Sequence, residues 1–460
     1  MTSSSKKSRV AILGGGLAGL TAAWELARTH PSAEVALFEV SGRLGGIIET
    51  MREQGFTIEC GPEAWVSDKP WARQLAEELK LPLLPSNDAT RKTYILKDRQ
   101  LVAMPDGMRM MVPADLDAVD ASPLFSDEAK RAFHAEIERA DELKANAPAE
   151  DESVASFVER HFGREVLETV GAPLLRGVFG GDVSSLSACA VMAPFVAMER
   201  EHGSLVKAIK ARRNTSSNPI FTTLRDGLGS LIEAMTKAIP PEWVHLHEPV
   251  LSLRRESEGW AVRTAQGESR FDAVLLATPV HVAAELLREQ DAEATSLMQM
   301  EASSAVVIAF AFTQSFELPP GFGFLIPPGS HGEDALLAAT FVDQKFDCRV
   351  PPGARLLRAF FGGEQGARLQ TASDAEVTAL ALEQLQGILG KLPEPALTVV
   401  RRLPLSLPQY AVGHLERMAT LDARVKRLGG LWLLGNGYRG VGLPDLIRDA
   451  RAAARECIAV

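Results

Sequence analysis

Hydrophobic and polar positions change period more than once near the start of the chain. The run RVAIL at residues 9–13 is apolar and of strand length, and apolar residues then recur at helical spacing from Leu17. Glycines at positions 14, 16 and 19 mark the passage from the first pattern into the second. A second run of strand length, EVALF at residues 34–38, precedes Glu39. This order predicts a strand, a tight turn, a helix and a second strand.

The glycine turn has the composition of a site for a dinucleotide. Glycine turns sharply, lets a diphosphate approach the main chain and lets the helix pack on the strand, while the helix N-terminus offers N–H groups and a positive dipole end. The acid at position 39 follows the last glycine by twenty residues, where a ribose hydroxyl needs an acceptor. We therefore predict that the cofactor contacts Gly14, Gly15, Gly16, Leu17, Ala18, Gly19 and Glu39.

A pair of glycines follows directly in SGRLGGI, residues 41–47. Arg43 offers charge-assisted contacts to phosphate, and Gly46 lets the chain beside Ile47 pass close to a flat ring. Together the two motifs resemble the FAD-containing amine oxidase and phytoene desaturase superfamily, in which an Arg-x-Gly-Gly motif follows the ribose acid. The resemblance implies that the cofactor is FAD and that Arg43, Gly46 and Ile47 help to bind it.

The remaining patterns divide the chain into three kinds of sequence. Residues 1–85, 216–285 and 419–460 carry strand, glycine-turn and helix patterns, which predict a discontinuous FAD-binding domain. Residues 86–215 begin with two strand-like pieces and are otherwise mainly helical, as expected of an insertion. Residues 286–418 are rich in β patterns and form the expected substrate domain. The predicted fold class is α/β, a two-part Rossmann-type FAD-binding domain with a β-rich substrate domain and a mainly helical inserted domain.

Composition argues against several classes of function. The formal net charge is −10 and no basic stripe stands out, so we expect no nucleic-acid partner. The four cysteines are scattered without a CxxC pair, which argues against a zinc site or a disulfide framework, and no metal is predicted. No apolar run reaches the roughly 18 residues that a membrane-spanning helix needs.

The N-terminal sequence MTSSSKKSRV lacks the apolar region of a secretory signal, so we expect a cytoplasmic protein. The apolar piece GMRMMV at residues 107–112 suggests peripheral contact with the inner face of the cell membrane. The oligomeric state stays open, with a homodimer as one alternative.

Three further segments resemble the oxygen-dependent protoporphyrinogen oxidases of haem synthesis: ECGPEAW at 59–65, PLLRGVFGGDVSSLS at 173–187 and GNGYRGVGLPD at 435–445. The resemblance implies oxidation of protoporphyrinogen IX to protoporphyrin IX with O2 as acceptor and H2O2 as product. Oxidation of coproporphyrinogen III to coproporphyrin III is the alternative, since the sequence does not separate the two. Further FAD contacts are then expected at Gly61, Pro62, Glu63, Ala64, Val250, Asn436, Val441, Gly442 and Leu443.

The same resemblance suggests where the porphyrinogen binds. Gly323, Phe324, Leu325 and Phe360 align with residues that enclose the macrocycle in relatives, and alternation along the strand sends Phe360 and Phe361 to opposite faces. Arg91 and Arg176 are unranked candidates for binding a substrate carboxylate. The sequence shows no acid–base dyad and no nucleophile–histidine pair, so no catalytic side chain is predicted and the flavin carries the chemistry.

More distant alternatives remain at this point. An amine oxidase or a carotenoid desaturase would need an aromatic cage or a lipid tunnel, whereas the chain has only six Trp and three Tyr. A non-enzymatic binder of prenylated proteins would be colourless. His245 and His247 lie two residues apart in an expected strand and could offer a metal pair, but a partly exposed strand face is the commoner explanation of such a pair.

Overall fold

The computed structural model describes residues 8–211, 219–330 and 336–458. Within these residues five strands pair in parallel in what we call the parallel sheet. In spatial order they are Val244–His245, Glu34–Phe38, Arg9–Leu13, Ala273–Leu276 and Leu431–Leu433. Three separate stretches of sequence therefore meet in one sheet. The expected lack of a secretory signal rests mostly on the first seven residues, and these lie outside the described residues.

Helices cover both faces of the parallel sheet because its strands are apolar on both faces. Along the first strand, Val10 and Ile12 pack into one hydrophobic core, and Ala11 and Leu13 pack into another. The first core contains the helices Leu17–Thr29, Trp71–Glu78, Gly229–Ala238 and Leu443–Glu456. The second contains the helices Val280–Leu287, Ala292–Leu297 and His414–Leu428 and a small antiparallel sheet of Ser252–Glu256, Gly259–Thr264 and Gly267–Phe271.

A second large sheet, the mixed sheet, is built from two distant parts of the chain. Its strands in spatial order are Leu397–Pro408, Ala302–Phe312, Arg355–Phe361, Ala338–Phe341, Gly323–Leu325, Thr93–Lys97 and Gln100–Ala103. The helix Asp374–Leu389 packs on one face; Ser373 and Glu376 cap its start reciprocally, and Gly390 ends it at φ 83°. The strand Thr93–Lys97 pairs in parallel with Gly323–Leu325. The two strand-like pieces expected in the helical insertion therefore belong to this sheet, because the edge of the sheet offers them backbone partners.

The helical segment, which we define as Leu116–Ala211, has its own hydrophobic core. Its helices are Leu116–Ala121, Asp127–Glu138, Ala140–Ala145, Val154–Phe162, Arg164–Val166, Leu167–Gly171, Ala172–Phe179, Ala188–Val191, Ala193–His202 and Leu205–Ala211. Most apolar side chains of the piece at 107–112, which the sequence suggested for membrane contact, are covered, and Met110 stays partly exposed. Met108, Met111 and Val112 are buried in the core of the helical segment. Among the described residues no helix is long and apolar enough to cross a bilayer.

Short elements join these parts. They are the hairpin Thr50–Glu53 and Phe56–Glu59, the small sheet Trp65–Val66, Phe221–Leu224 and Leu83–Pro85, the pair Met108–Arg109 and Val112–Pro113, and the helical turns Asp88–Thr90, Pro241–Trp243, Val342–Lys345 and Gly363–Arg368. The hairpin packs on the mixed sheet through Phe56 and Ile58, which contact Ala309 and Leu356 in one core. The parallel sheet and the mixed sheet thereby approach each other around residues 50–65.

Candidate active site

The carboxyl ends of parallel strands lie at one edge of a sheet, and three of the predicted features meet there. The strand Arg9–Leu13 leads into the first glycine turn, residues 14–19, and Glu34–Phe38 leads into Glu39. The strand Leu431–Leu433 leads into the second glycine turn, residues 435–442. Each glycine turn runs into a helix, and these two helices, Leu17–Thr29 and Leu443–Glu456, pack against each other.

The glycines of the first turn serve different purposes. Gly14 has φ 105°, and a side chain at Gly19 would overlap the carbonyl oxygen of Gly14, so these two glycines allow backbone to pack on backbone. A Cβ at Gly16, by contrast, would meet nothing within 4 Å. Gly16 also precedes the helix without any side-chain cap, which leaves N–H groups of the first turn available. The turn therefore presents an open, positively polarised concavity at Gly16.

Glu39 lies beside this concavity. Its Oε2 accepts a hydrogen bond from the Gly15 N–H at 2.8 Å, and its Oε1 accepts one from the Ser41 N–H at 2.8 Å. Glu39 also pairs through its backbone with His245 and Glu248, which brings the segment leading to Val250 to the same edge. The apolar side chains of Val40 and Leu251 are 67% and 55% exposed here.

Arg43 is directed onto its own loop. Its guanidinium donates hydrogen bonds to the carbonyl oxygens of Leu44, Gly46 and Ile48 at 3.2, 2.6 and 3.0 Å, and it lies 3.2 Å from Glu49. In this structure Arg43 fixes the shape of the loop that carries Gly46 and the 40% exposed Ile47. The phosphate contact expected from the sequence stays a prediction.

The segment 61–64 passes over a group of buried charges. A side chain at Gly61 would overlap the carbonyl oxygen of Ile47, so this position requires glycine for close approach. Glu63 Oε2 lies 2.8 Å from Lys345 Nζ, and Glu63 Oε1 lies 3.5 Å from Arg358 Nη1. Arg358 also donates to the carbonyl oxygen of Gly61. Burial alone would raise the pKa of Glu63, but Lys345 and Arg358 outweigh it and hold the pKa below its usual value.

The second glycine turn is held from outside by side chains. Asn436 donates through Nδ2 to the carbonyl oxygen of Ser406 at 2.8 Å and accepts at its own carbonyl from the Tyr410 hydroxyl at 2.6 Å. Gly442 precedes the final helix without a side-chain cap, and Leu443 is the first residue of that helix. Val441 is partly buried and packs against the core of the helical segment. The turn thus lies between the parallel sheet and the helical segment.

The mixed sheet turns one face toward this cleft, and we call it the site face. Residues paired directly across strands share a face, and the register pairs Phe360 with Ala338, and Ala338 with Leu325. The next row pairs Arg358 with Thr340, and Thr340 with Gly323. Leu325 packs against the helical segment, and Arg358 bonds the 61–64 segment. Gly323, Leu325 and Phe360 therefore lie on one face, beside the segment predicted to contact FAD.

Phe324 and Phe361 lie on the opposite, covered face. Phe324 is 1% exposed and Phe361 is fully buried, and both pack in the core beneath the helix Asp374–Leu389. The expected divergence of Phe360 and Phe361 is confirmed by the sheet register. Phe324, which the family resemblance grouped with the substrate residues, is directed away from the site face because its two neighbours in sequence occupy it.

The two candidate arginines differ in their surroundings. Arg91 is exposed and precedes the strand Thr93–Lys97, where the charge of Asp88 acts on it. Arg176 is half-buried on the helix Ala172–Phe179, which contacts the strand Gly323–Leu325, and its Nη2 lies 3.6 Å from a Cβ placed on Gly363. Within the described residues the Arg176 side chain has no hydrogen bond and no ion pair.

The structure corrects the expected histidine pair. The strand ends at His245, and His247 follows in a turn at φ 55°, so the two side chains do not alternate along one strand. His247 lies against Gly42, and His245 stacks on Phe38. No group of three or more His, Cys, Asp or Glu side chains able to hold a metal occurs in the parts of the chain that the structure describes.

Comparison with known proteins identifies the family. The model of the flavin-containing amine oxidoreductases matches residues 17–458. The chain belongs to this family. A coproporphyrinogen III oxidase of Bacillus subtilis is 31% identical over 98% of each chain, and the chloroplastic protoporphyrinogen oxidase 1 of Arabidopsis thaliana is 29% identical over 97% of this chain and 87% of its own. A crystal structure from Exiguobacterium sp. 255-15, provisionally named a protoporphyrinogen oxidase, has a TM-score of 0.87 and 30% identity, covering 99% of both chains.

Membership of this family confirms the superfamily and the α/β fold predicted from the glycine motifs, and the cofactor is FAD. The edge of the parallel sheet at the carboxyl ends of its strands has features that suit FAD. Gly16 leaves an open cradle at a helix N-terminus, and Glu39 offers an acceptor beside it. The buried hydroxyl of Thr278, next to Gly14, has no hydrogen-bond partner in the structure.

Sequence reasoning missed several residues of this site. Arg358 carried a visible signal, since a charged residue within the apolar strand RLLRAFF demands a buried partner. Lys345 and Thr340 carried none, because their partners and neighbours come from other strands. Tyr410 and His414 precede the second glycine turn by more than twenty residues, and only the folded chain brings them to it.

Proposed function

We propose that this protein is an FAD-dependent porphyrinogen oxidase that uses O2 as electron acceptor and releases H2O2. The observation that carries the proposal is the site face of the mixed sheet, where Phe360, Leu325 and Thr340 remain partly exposed beside the segment predicted to contact FAD. FAD, when bound, accepts hydride equivalents from the porphyrinogen and passes them to O2. The protein's own residues bind the substrate, orient it and exclude water.

FAD binding is proposed to place the diphosphate against Gly16 and a ribose hydroxyl against Glu39. Replacement of Gly16 by Val puts a branched side chain into the open cradle, while the local backbone at φ −68° accepts any residue. We expect the purified Gly16→Val protein to fold but to lose its flavin absorbance. Gly387→Val is the matched control, because a Cβ there also meets nothing within 4 Å and the position is exposed and remote. Normal flavin content in the Gly16→Val protein would contradict this placement.

The substrate is proposed to lie along the row formed by Phe360, Ala338 and Leu325. These apolar side chains suit the flat edge of a tetrapyrrole, and the neighbouring Thr340 hydroxyl is buried without a hydrogen-bond partner among the described residues. The hairpin of Thr50–Glu53 and Phe56–Glu59 covers the site face on one side, and the helical segment covers it on the other. These two covers would shield the reacting carbon from bulk water.

Arg176 is proposed to bind a substrate carboxylate. Arg176 is half-buried on a helix that contacts the strand Gly323–Leu325, and a propionate would supply charge-assisted hydrogen bonds to it in addition to the charge of Asp182 that already acts on it. Arg91 is exposed, so we rank it second. Replacement of Arg176 by Gln should raise the KM for porphyrinogen at least tenfold while flavin content stays normal. Arg91→Gln should change KM less than threefold, and the reverse order would contradict the ranking.

Coproporphyrinogen III is the proposed preferred substrate, with protoporphyrinogen IX as the second candidate. The relatives from Bacillus subtilis and Staphylococcus aureus, at 31% and 29% identity, carry the former name, whereas the Arabidopsis relative carries the latter. Coproporphyrinogen III also has more propionates, which Arg176 and Arg91 are placed to attract. Side-by-side aerobic turnover, followed by porphyrin fluorescence and H2O2 release, tests this. Turnover of neither porphyrinogen by the flavin-loaded protein would overturn the proposed function.

A further inference from the structure

Two stacked aromatic side chains hydrogen-bond to the second glycine turn, and we call this pair the Tyr410–His414 clamp. The two rings are 3.8 Å apart between centroids and 11° from parallel, and both residues are buried. Neither residue belongs to the predicted FAD contacts. The pair connects the end of the strand Leu397–Pro408 to the start of the helix His414–Leu428.

The clamp contacts every second residue along the turn. The Tyr410 hydroxyl donates to the Asn436 carbonyl at 2.6 Å and accepts from the Gly440 N–H at 3.1 Å. His414 Nε2 lies 3.1 Å from the Tyr438 carbonyl oxygen. Main-chain groups of three residues in the turn are therefore fixed by two side chains.

The protonation states suit these bonds. Burial raises the pKa of the Tyr410 hydroxyl, so it keeps the proton that it donates to Asn436. Burial lowers the pKa of His414 to about 4, so the ring is neutral at physiological pH and its Nε2–H donates to the carbonyl of Tyr438. The clamp is thus a set of neutral hydrogen bonds in a buried setting, where their geometry is strongly held.

The other side of the clamp is bonded to the helical segment. The Tyr410 carbonyl accepts from the Ser187 N–H at 2.7 Å, and the Val412 N–H donates to the Ser185 carbonyl at 3.0 Å. The Gly413 N–H donates to Asp151 Oδ2 at 2.8 Å. The position of the second glycine turn is therefore tied both to the parallel sheet and to the helical segment.

We propose that the Tyr410–His414 clamp positions the N–H groups of the second glycine turn and of the final helix toward the flavin, and thereby sets FAD affinity and reduction potential. The proposal rests on the placement of FAD at this turn under the proposed function. The final helix begins at Leu443 without a side-chain cap at Gly442, and its N-terminus carries a partial positive charge. Pro444 has no N–H and the Asp445 N–H bonds the Gly442 carbonyl, so the donors offered to the flavin are the Leu443 N–H and those of the turn. The Asp445 carboxylate in this first turn is paired with Lys69 and Arg448. Reduction adds negative charge to the flavin ring, so N–H groups held near it favour the reduced form. Tyr410 and His414 act through the turn and are positioning residues.

Tyr410→Phe removes the hydroxyl and keeps the ring stack, which makes it the direct test. We expect the FAD dissociation constant to rise about tenfold and the flavin midpoint potential to become more negative. Tyr94→Phe is the matched control, since Tyr94 is also buried and its hydroxyl donates to the Pro320 carbonyl at 2.9 Å in the mixed sheet. This control should lower the melting temperature by a comparable amount. Its FAD dissociation constant should stay within twofold of the wild-type value, and its flavin midpoint potential should equal that of the wild type within error.

A second variant keeps the proposal testable if Tyr410→Phe fails to fold. His414→Phe keeps a stacked ring and removes the donor to Tyr438, and we expect the same direction of change in both flavin properties. Wild-type FAD affinity and potential in a folded clamp variant would overturn the proposal, as would equal changes in Tyr94→Phe. Failure of the proposed function is distinguished because the wild type would then bind FAD but oxidise no porphyrinogen, whatever the clamp variants show.

Discussion

The two faces of the mixed sheet are made by alternate residues of the same strands, yet they differ in burial, in neighbouring side chains and in hydrogen bonding. On the covered face, Phe324, Phe341 and Phe361 are fully buried among apolar neighbours under one helix. On the site face, Phe360 is partly exposed beneath the Arg358 guanidinium, whose centre lies 5.1 Å from the ring. One face is a packed core, and the other is a mixed surface with polar groups that lack partners.

This difference shows how one strand serves stability and function together. Alternation sends adjacent residues to opposite faces, so a single sequence such as RLLRAFF supplies both a core and a binding surface. The covered face gains stability from close packing. The site face retains an unpartnered Thr340 hydroxyl and a buried charge group around Glu63, which is costly for folding. We therefore expect substitutions on the two faces to separate stability from activity.

The largest effect is expected on the covered face. Phe361→Ala should lower the free energy of unfolding by about 3–5 kcal/mol, because it leaves a cavity in a fully buried core. Urea unfolding of the flavin-loaded protein measures this. Activity per folded, flavin-containing molecule should stay near the wild-type value. A small loss of stability with a large loss of specific activity would reverse the comparison between the faces.

Acid sensitivity should come from the charges beside the site face. The pKa of Glu63 in the folded protein is below its usual value, so its contribution to stability is present above the unfolded pKa of about 4.3 and is lost as the pH falls through the folded pKa. Glu63→Gln should lower stability at neutral pH by about 1–3 kcal/mol, since it leaves Lys345 and Arg358 with one charge fewer to pair. Its stability should also depend less on pH than that of the wild type as the pH falls below the unfolded pKa of about 4.3.

Phe361→Ala is the control for the pH dependence of Glu63→Gln. It lowers stability without removing a titrating group, so its curve of unfolding free energy against pH should run parallel to that of the wild type. If Glu63→Gln keeps the full acid dependence of the wild type, the charges near Gly61 do not govern it.

The smallest effect on stability is expected for Phe360. Phe360→Ala should weaken porphyrinogen use by up to about tenfold in kcat/KM, which corresponds to the roughly 0.5–1.5 kcal/mol of an aromatic contact. Flavin content should stay normal. Stability should fall less than in Phe361→Ala, because Phe360 is only partly buried. A Phe360→Ala protein that melts far lower but turns over normally when folded would remove this residue from the site.

More of the cofactor region than of the substrate region could be predicted from the sequence. The glycine spacing and Glu39 predict a strand, a turn and a helix, because local backbone needs dictate those residues. The helix Asp374–Leu389 shows local signals of the same kind, since a capping box starts it and a glycine ends it. Local signals of this kind are visible without knowledge of the fold.

The rest depended on contacts between distant parts of the chain. The strands at 93–103 have no local feature that assigns them to the mixed sheet, and only their pairing with Gly323–Leu325 does so. The apolar piece at 107–112 is equally suited to a membrane or a core, and the helical segment buries it. Phe324 lies on the covered face, away from Leu325, because the pleat sends neighbouring residues of a strand to opposite faces. The Tyr410–His414 clamp bonds residues of the second glycine turn that lie more than twenty positions away, so no local pattern predicts it.

Anaerobic mixing of the flavin-loaded protein with each porphyrinogen tests the proposed oxidation at its first step. Coproporphyrinogen III should remove the absorbance of oxidised flavin, and admission of air should restore it, with porphyrin fluorescence and H2O2 appearing together. Protoporphyrinogen IX should do the same more slowly. Oxidised flavin that persists with both porphyrinogens, in protein that is folded and contains stoichiometric FAD, would contradict the account.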